Sequence, residues 1–352
     1  MGRADLEKVL VILRHNGIGN DHYELAAPLS NLANAFRALG ESDRAVINYT
    51  SSLRIKQKYY GARHPVLLSS LHGLSTVLIG LKEYAKAAST LEVACGIALQ
   101  AKHKREAEVA MERLSNVYGQ LKQEKKRLKV LSRLLHLRGW TSKGIDPKRI
   151  SKKKAEKVAG TLISIGRTLS NIGELAQARG ALWQGINLYQ EIPISPHSTT
   201  LTSATLSLAE INISLGDLKS AEALLNRIVP LFKSSNLPCY SPLNAAISDA
   251  YLAQVTLTFR KNPAKAMDLL TNALVVLEKH LSSEEIPVGR VRKALGGTNV
   301  AKGVECSSIA LDKTKQKDKA EKMLKYSLEI KRKLAGCYSS STRLSLSNPP
   351  LT

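Results

Sequence analysis

The chain has 352 residues, 43% hydrophobic and 23% charged, which is the composition of a globular protein and not of a disordered chain. Its four cysteines are too few for a disulfide scaffold, and 52 lysines and arginines against 29 acids leave a net charge of +23. Only 5% of the residues are aromatic. A core of Leu, Ile, Val and Ala therefore favours packed helices over sheets.

The first part of the chain, residues 1–138, repeats its own pattern. Residues 32–53 align with residues 74–95 at an offset of 42, and another copy begins at Leu114. Each copy opens with apolar residues at i, i+4 and i+7, which line one face of a helix. Residues 6–12 resemble the second helix of a repeat whose first helix is missing, so we predict a partial repeat followed by about three complete ones. The partial repeat is either a capping helix or the end of a truncated, longer repeat protein.

The pattern of each copy predicts two antiparallel helices joined by a turn. Gly40, Gly173 and Gly216 follow the first helix, where a left-handed residue ends a helix, and an acid follows each of them. In the second helix a small residue is followed four positions later by a large apolar one, on the same helix face. These pairs are Ala45 and Tyr49, Ala87 and Leu91, Ala178 and Leu182, Ala221 and Leu225, Ala266 and Leu270, and Ala320 and Leu324.

Interruptions divide the repeats. We predict a basic insert at 139–153, a second block of repeats at 154–281, an irregular loop at 282–300, a degenerate C-terminal repeat at 301–335 and a disordered, Ser-rich tail at 336–352.

Taken together, these features resemble the tetratricopeptide repeat family over roughly residues 1–335. The period near 42 residues is similar to that of kinesin light chains, whose repeats join through a connector of the form I-x-K/E-x-x-G-x-x-H-P. Residues 53–65 match this connector and end in His64 and Pro65. The resemblance implies an all-α fold, in which antiparallel helix pairs stack into a right-handed superhelical solenoid with a concave groove.

The resemblance also places polar side chains of the first helices in that groove. Asn can donate to and accept from a peptide backbone, and Arg binds carboxylates with two parallel hydrogen bonds. We therefore expect a protein partner that offers an acidic or extended peptide segment; the alternative for each residue is an ordinary solvated helix face. The candidate partner-binding residues are Asn31, Asn34, Arg37, Arg113, Asn116, Gln120, Arg167, Ser170 and Asn171.

The segment 122–157 concentrates positive charge, with 14 basic residues against three acids. It is a candidate for binding anions or for nuclear import, and the alternative is a solvated helix face plus a basic loop. The residues that carry this expectation are Lys148, Arg149, Lys152, Lys153 and Lys154.

No phosphate-binding loop, nucleophile elbow, zinc-protease or calcium-loop motif occurs in the sequence. We therefore expect a non-enzymatic interaction scaffold or adaptor that uses no cofactor or metal. The alternatives are a helical protein that binds nucleic acid or an anionic surface, and the regulatory repeat region of a larger protein. No secretory leader or membrane span is visible, so a cytoplasmic protein is expected, with nuclear import through the basic insert as a second expectation.

Overall fold

The structure, a computed structural model, describes residues 21–141, 151–191 and 198–260, together with Glu7, Lys8, Val11 and scattered positions from Asn262 to Val276. The predictions for 282–300, 301–335 and 336–352, and those for Lys148 and Arg149, lie outside the described residues. Within the described part every regular element is a helix, so the predicted all-α class is confirmed.

The chain divides into two compact units, residues 1–174 and 175–352. Unit one contains the helices α1 (Ala26–Ala38), α2 (Ser42–Tyr60), α3 (Leu68–Gly80), α4 (Tyr84–Gln100), α5 (Lys104–Gln120), α6 (Glu124–Leu137) and α7 (Lys152–Ile172). Unit two contains α8 (Leu175–Glu191), α9 (Thr199–Ser214), α10 (Leu218–Lys233) and α11 (Pro242–Thr258).

In unit one each helix packs against the next, and the first helices of neighbouring pairs also touch, α1 against α3 and α3 against α5. This is the packing of stacked helix pairs, because each pair buries its apolar face only against its neighbours. The predicted pairing of a small with a large residue is confirmed in the second helices of this unit. Ala45, Tyr49, Ala87 and Leu91 are all fully buried.

Unit two follows the same rule. Ala178 and Leu182 on α8, and Ala221 and Leu225 on α10, are fully buried. Helix α10 packs between α9 and α11, with Phe232 completely enclosed. Both units therefore consist of packed helices that bury the same small and large residues of the repeat.

The turn between the two helices of a pair needs a residue with positive φ. Gly40, Gly173 and Gly216 adopt φ of 79°, 100° and 83°, as their positions in the repeat predict. In the second and third repeats the same place is taken by Lys82 and Lys122, with φ of 60° and 55°. A lysine in this conformation is strained, because its Cβ approaches the following carbonyl oxygen.

The connectors that lead into α1 and α3 each begin with a histidine that makes the same kind of hydrogen bond. The side chains of His22 and His64 accept hydrogen bonds from the backbone nitrogens of Glu24 and Val66, at 3.4 and 3.2 Å. Each histidine thereby caps the short 3₁₀ turn that leads into the next first helix, α1 or α3. The histidine of the connector is therefore a capping residue, which explains its repetition.

Candidate functional site

The first helices of unit one lie next to one another, because α3 contacts both α1 and α5, and each carries polar side chains that are exposed or half-buried. We call this part of unit one the first-helix surface. It comprises Asn31, Asn34 and Arg37 on α1, His72, Gly73 and Thr76 on α3, and Arg113, Asn116 and Gln120 on α5.

Tyr49 of α2 lies beneath one end of this surface, where it contacts α1 and α3. Its ring is fully buried and its hydroxyl donates to Oδ1 of Asn34 at 2.5 Å. A Cβ atom on Gly73 would lie 2.4 Å from the tyrosine ring, so only glycine fits there. Burial raises the pKa of Tyr49, while the neighbouring Arg37 guanidinium opposes that rise. Asn34 thus uses its carbonyl within the fold and keeps its amide group to donate outward.

At the other end of the first-helix surface, Arg113 of α5 is bonded to α3. Its Nη1 donates to the backbone oxygen of His72 at 3.2 Å and to Oγ1 of Thr76 at 2.8 Å, so the side chain reaches from α5 across to α3. Within the described part of the chain its Nη2 forms no hydrogen bond. Burial, helped by the Arg113 cation and opposed by Glu106, lowers the pKa of His72. The histidine beside Arg113 is therefore neutral at pH 7.

The two ends meet on α3, because Gly73 and Thr76 lie one turn apart on the same helix face. Arg113 therefore contacts this face of α3 at Thr76. Tyr49, which lies beside Arg37, packs against the same face at Gly73. Asn31 on α1, and Asn116 and Gln120 on α5, are exposed.

The remaining candidates lie on α7. Asn171 donates to Oε1 of Glu124 at 2.9 Å and so ties α7 to the start of α6. Arg167 and Ser170 are half-buried on the same helix, and Arg167 is engaged in an interaction of its own. Asn171 therefore has a structural contact in addition to the role predicted for it.

An ion cluster around the buried Arg138, between α5, α6 and α7, was missed by sequence reasoning. Arg138, only 4% exposed, ion-pairs with Glu112 and places its Nε 3.6 Å from Oε2 of Glu108, both on α5. Its Nη1 also donates to the backbone oxygen of Lys157, at 2.9 Å, and to the hydroxyl of Thr161, both on α7. We call these residues the Arg138 cluster. In the sequence Arg138 is only one of many bases, and no repeat pattern marks it.

The C-terminal part of the basic insert is helical. Helix α7 begins at Lys152, inside the segment predicted as an insert at 139–153, so Lys152, Lys153 and Lys154 form its first turn. Lys152 and Lys153 are exposed and Lys154 is half-buried.

Other kinds of site find little support in the described residues. Nowhere among them do three or more His, Cys, Asp or Glu side chains assemble as a metal site requires. Burial raises the pKa of the Cys95 thiol to about 12, so this cysteine is not a nucleophile at neutral pH. Of the described helices, none is both long enough and apolar enough to span a bilayer.

Several solved structures of other proteins are similar to this chain. The chain is similar to BtubC (BKLC) from P. vanneervenii, with 15% identity, 74% of this chain and 92% of that chain covered, and a TM-score of 0.48. It is also similar to nearly identical TPR-like repeats of the kinesin light chain type from Podosopora anserina, with 19% identity, coverages of 62% and 99%, and a TM-score of 0.45. A third similar structure is YrrB, a TPR protein with an unusual peptide-binding site, with 17% identity, coverages of 64% and 93%, and a TM-score of 0.43.

No curated protein matches the chain. Residues 24–100, which span α1 to α4, match the tetratricopeptide repeat family. This match agrees with the repeat pattern, with the capped connectors and with the burial of the small and large residues of each second helix. The two helix pairs of residues 24–100 are therefore tetratricopeptide repeats.

Proposed function

We propose that the chain is a protein–protein interaction scaffold whose first-helix surface in unit one binds an extended, acidic segment of a protein partner. Tetratricopeptide repeats are non-enzymatic interaction modules. The connectors capped by His22 and His64 favour the kinesin light chain-like form of these repeats.

The observation that carries the proposal is the placement of Arg113. Two hydrogen bonds through one terminal nitrogen fix its guanidinium against α3, while the other terminal nitrogen remains able to donate. A cation that is already held in position loses little side-chain entropy when it binds a carboxylate. Arg37, exposed on α1, supplies a second cation for the same segment.

The amides beside these arginines suit a peptide backbone. Asn34 has only its amide group left to donate, whereas the exposed Asn31 and Asn116 offer both a donor and an acceptor. Contacts of this kind fix the register of an extended chain, and the arginines select for acidic side chains.

The test is a binding titration with two sets of ten-residue peptides, one rich in Glu and one rich in Lys. The double variant Arg37→Gln, Arg113→Gln should bind the acidic set at least about tenfold more weakly than wild type, because an engaged Arg contributes about 2 kcal/mol. The matched control is Arg44→Gln, Arg54→Gln, which removes the same charge from exposed positions on α2.

Equal binding of both peptide sets by wild type would contradict the acidic partner. An equal loss of affinity in the α2 control would show that only net charge matters and not the first-helix surface. Circular dichroism on both double variants checks that their helices are intact.

A further inference from the structure

The outer side of α6 differs from that of every other second helix described in unit one. All of its exposed residues are basic: Lys125, Lys126, Lys129, Arg133 and His136. Their spacing of three and four residues places them along one side of the helix. On the equivalent helix α4 the exposed residues include Ala85, Ser89, Glu92 and Gln100. We call the first four of the α6 residues the α6 stripe.

The charges of the α6 stripe are not neutralised by neighbours. Among the residues that the structure describes, none of the four forms an ion pair, and Lys126 lies over the ring of Tyr118 at 5.7 Å. The one acid on this helix, Glu124, is held by Arg127 at 3.6 Å and by Asn171 at 2.9 Å.

Some exposed bases on the other second helices of unit one are paired with acids. Arg44 and Lys86, on α2 and α4, each pair at 2.8 Å with an acid three residues earlier, Glu41 and Glu83. Each of these pairs offsets the charge of its cation, whereas the α6 stripe places four cations along one helix side whose exposed residues include no acid.

We propose that the α6 stripe binds the phosphate backbone of double-stranded nucleic acid without reading its sequence. From Lys125 to Arg133 the helix rises about 12 Å. A strand of a duplex carries one phosphate per roughly 3.4 Å of axis, so about four phosphates span the same length. The stripe therefore offers about one cation for each phosphate of one strand.

The exposed side of α6 carries no large apolar side chain, and this argues for one kind of anionic partner over the others. No large hydrophobic residue is exposed on α6, so this helix has nothing to insert into a lipid surface. It also lacks the aromatic anchor on which protein interfaces depend. Tyr118, whose ring lies under Lys126, is buried and cannot stack on an unpaired base. A duplex, which presents its backbone outward, matches this surface best.

The experiment uses the full chain and a fluorescein-labelled 20-base-pair duplex of mixed sequence, with anisotropy measured between 50 and 200 mM salt. The variant Lys125→Gln, Lys129→Gln, Arg133→Gln should bind at least about tenfold more weakly. Its slope of log K against log salt should shrink by about 2 to 3, because each phosphate contact contributes about 0.9. The matched control is Lys58→Gln, Arg63→Gln, Lys104→Gln, which removes three exposed charges from other positions of unit one.

A second variant keeps the charge and changes only the side chains: Lys125→Arg, Lys126→Arg, Lys129→Arg. Its affinity should stay within about twofold of wild type, since phosphate attraction requires the charge and not the ammonium group. Binding of the acidic peptides to the first-helix surface should be unchanged in all three variants, which separates this proposal from the proposed function.

Four results would overturn the proposal. The first is no binding of the duplex by wild type at 100 mM salt, and the second is an equal loss of affinity in the matched control. The third is displacement of the duplex by polyglutamate at equal charge concentration, which would assign the stripe to an acidic protein. The fourth is tighter binding to vesicles containing phosphatidylserine, which would assign it to a membrane.

Discussion

Two joints between neighbouring helix pairs in unit one are built differently. Where α2 meets α3, the ring of Tyr49 fits against a helix that has no side chain at Gly73, and the tyrosine hydroxyl is satisfied by Asn34. Where α6 meets α7, the buried guanidinium of Arg138 ion-pairs with the partly exposed Glu112 and lies 3.6 Å from Glu108, both on α5. The first joint depends on shape and the second on balanced charge.

This difference predicts which kind of substitution destabilises the packing at each joint. A joint that depends on shape is lost when an atom is added, because packed interiors leave no spare volume. A joint that depends on charge is lost when one partner is removed, because the remaining ions stay desolvated without compensation. Substitutions that add or remove groups therefore distinguish the two.

The largest effect is expected from Arg138→Met. Removing the cation leaves Glu108, whose side chain is 14% exposed, with only the partly exposed Lys157 at 3.5 Å as its ionic partner. The substitution should lower the free energy of unfolding of unit one by about 3 kcal/mol. The measurement is urea denaturation followed by circular dichroism. Adding Glu108→Gln and Glu112→Gln should restore much of the loss. A loss no larger than that of Arg44→Met, an exposed control worth under about 1 kcal/mol, would contradict the importance of the Arg138 cluster.

Gly73→Ala tests the joint that depends on shape. The added Cβ would lie 2.4 Å from the ring of Tyr49, and moving that buried ring should cost about 2 kcal/mol. Gly96→Ala on α4 is the matched control, since it meets no atom within 4 Å and should stabilise by up to about 1 kcal/mol. Midpoints of thermal unfolding that move in the same direction for both variants would contradict this explanation of Gly73.

Substitutions in the turns should have a smaller effect on the free energy of unfolding, and replacing the two lysines should raise it. Lys82→Gly and Lys122→Gly should each stabilise unit one by about 0.5–1 kcal/mol, because glycine adopts positive φ without strain. Gly40→Ala, at the same place in the first repeat, should destabilise by a similar amount. Denaturation midpoints measure all three variants, and a destabilised Lys82→Gly would mean that the lysine side chain has a role beyond the turn.

The smallest effect on the free energy of unfolding is expected from a change of pH, through His72. Burial lowers the pKa of His72 below its ordinary value of 6.5, so the unfolded chain takes up a proton before the folded chain does. This contribution to stability is present above pH 6.5 and is lost as pH falls below it. In His72→Gln the unfolding free energy should fall less between pH 7 and pH 5 than in wild type. Parallel pH profiles of the two proteins would contradict the assignment.

Features set by local sequence could be predicted, and contacts between distant segments could not. The repeat pattern predicted the helix pairs, and the buried Ala45 and Tyr49 confirm its second-helix rule. Lys82 and Lys122 in glycine-like turns were missed, because the helices on either side impose φ and the residue type gives no sign of it. Arg138 was missed because its partners lie 26 residues before and 23 residues after it in the chain.

The same limit applies to the candidate site. Sequence placed Asn34 and Arg113 on first helices, and the structure confirms those positions. The bond from Tyr49 to Asn34 and the reach of Arg113 to α3 depend on tertiary packing, which no single-helix pattern encodes. Partner binding by these residues stays a prediction.

The Arg138 cluster also bears on how much chain length the connection between α6 and α7 can hold. Arg138 precedes residues 142–150 and bonds to α7 after them, so its contacts join the two sides independently of the covalent chain. Lengthening a connection held at both ends costs little, about 0.6 kcal/mol for each doubling. Between Leu114 and Ile165 the repeat runs 51 residues, against 40 between Leu74 and Leu114. The longest repeat spacing within unit one thus coincides with the place where Arg138 bonds to the helix on the far side of the added residues.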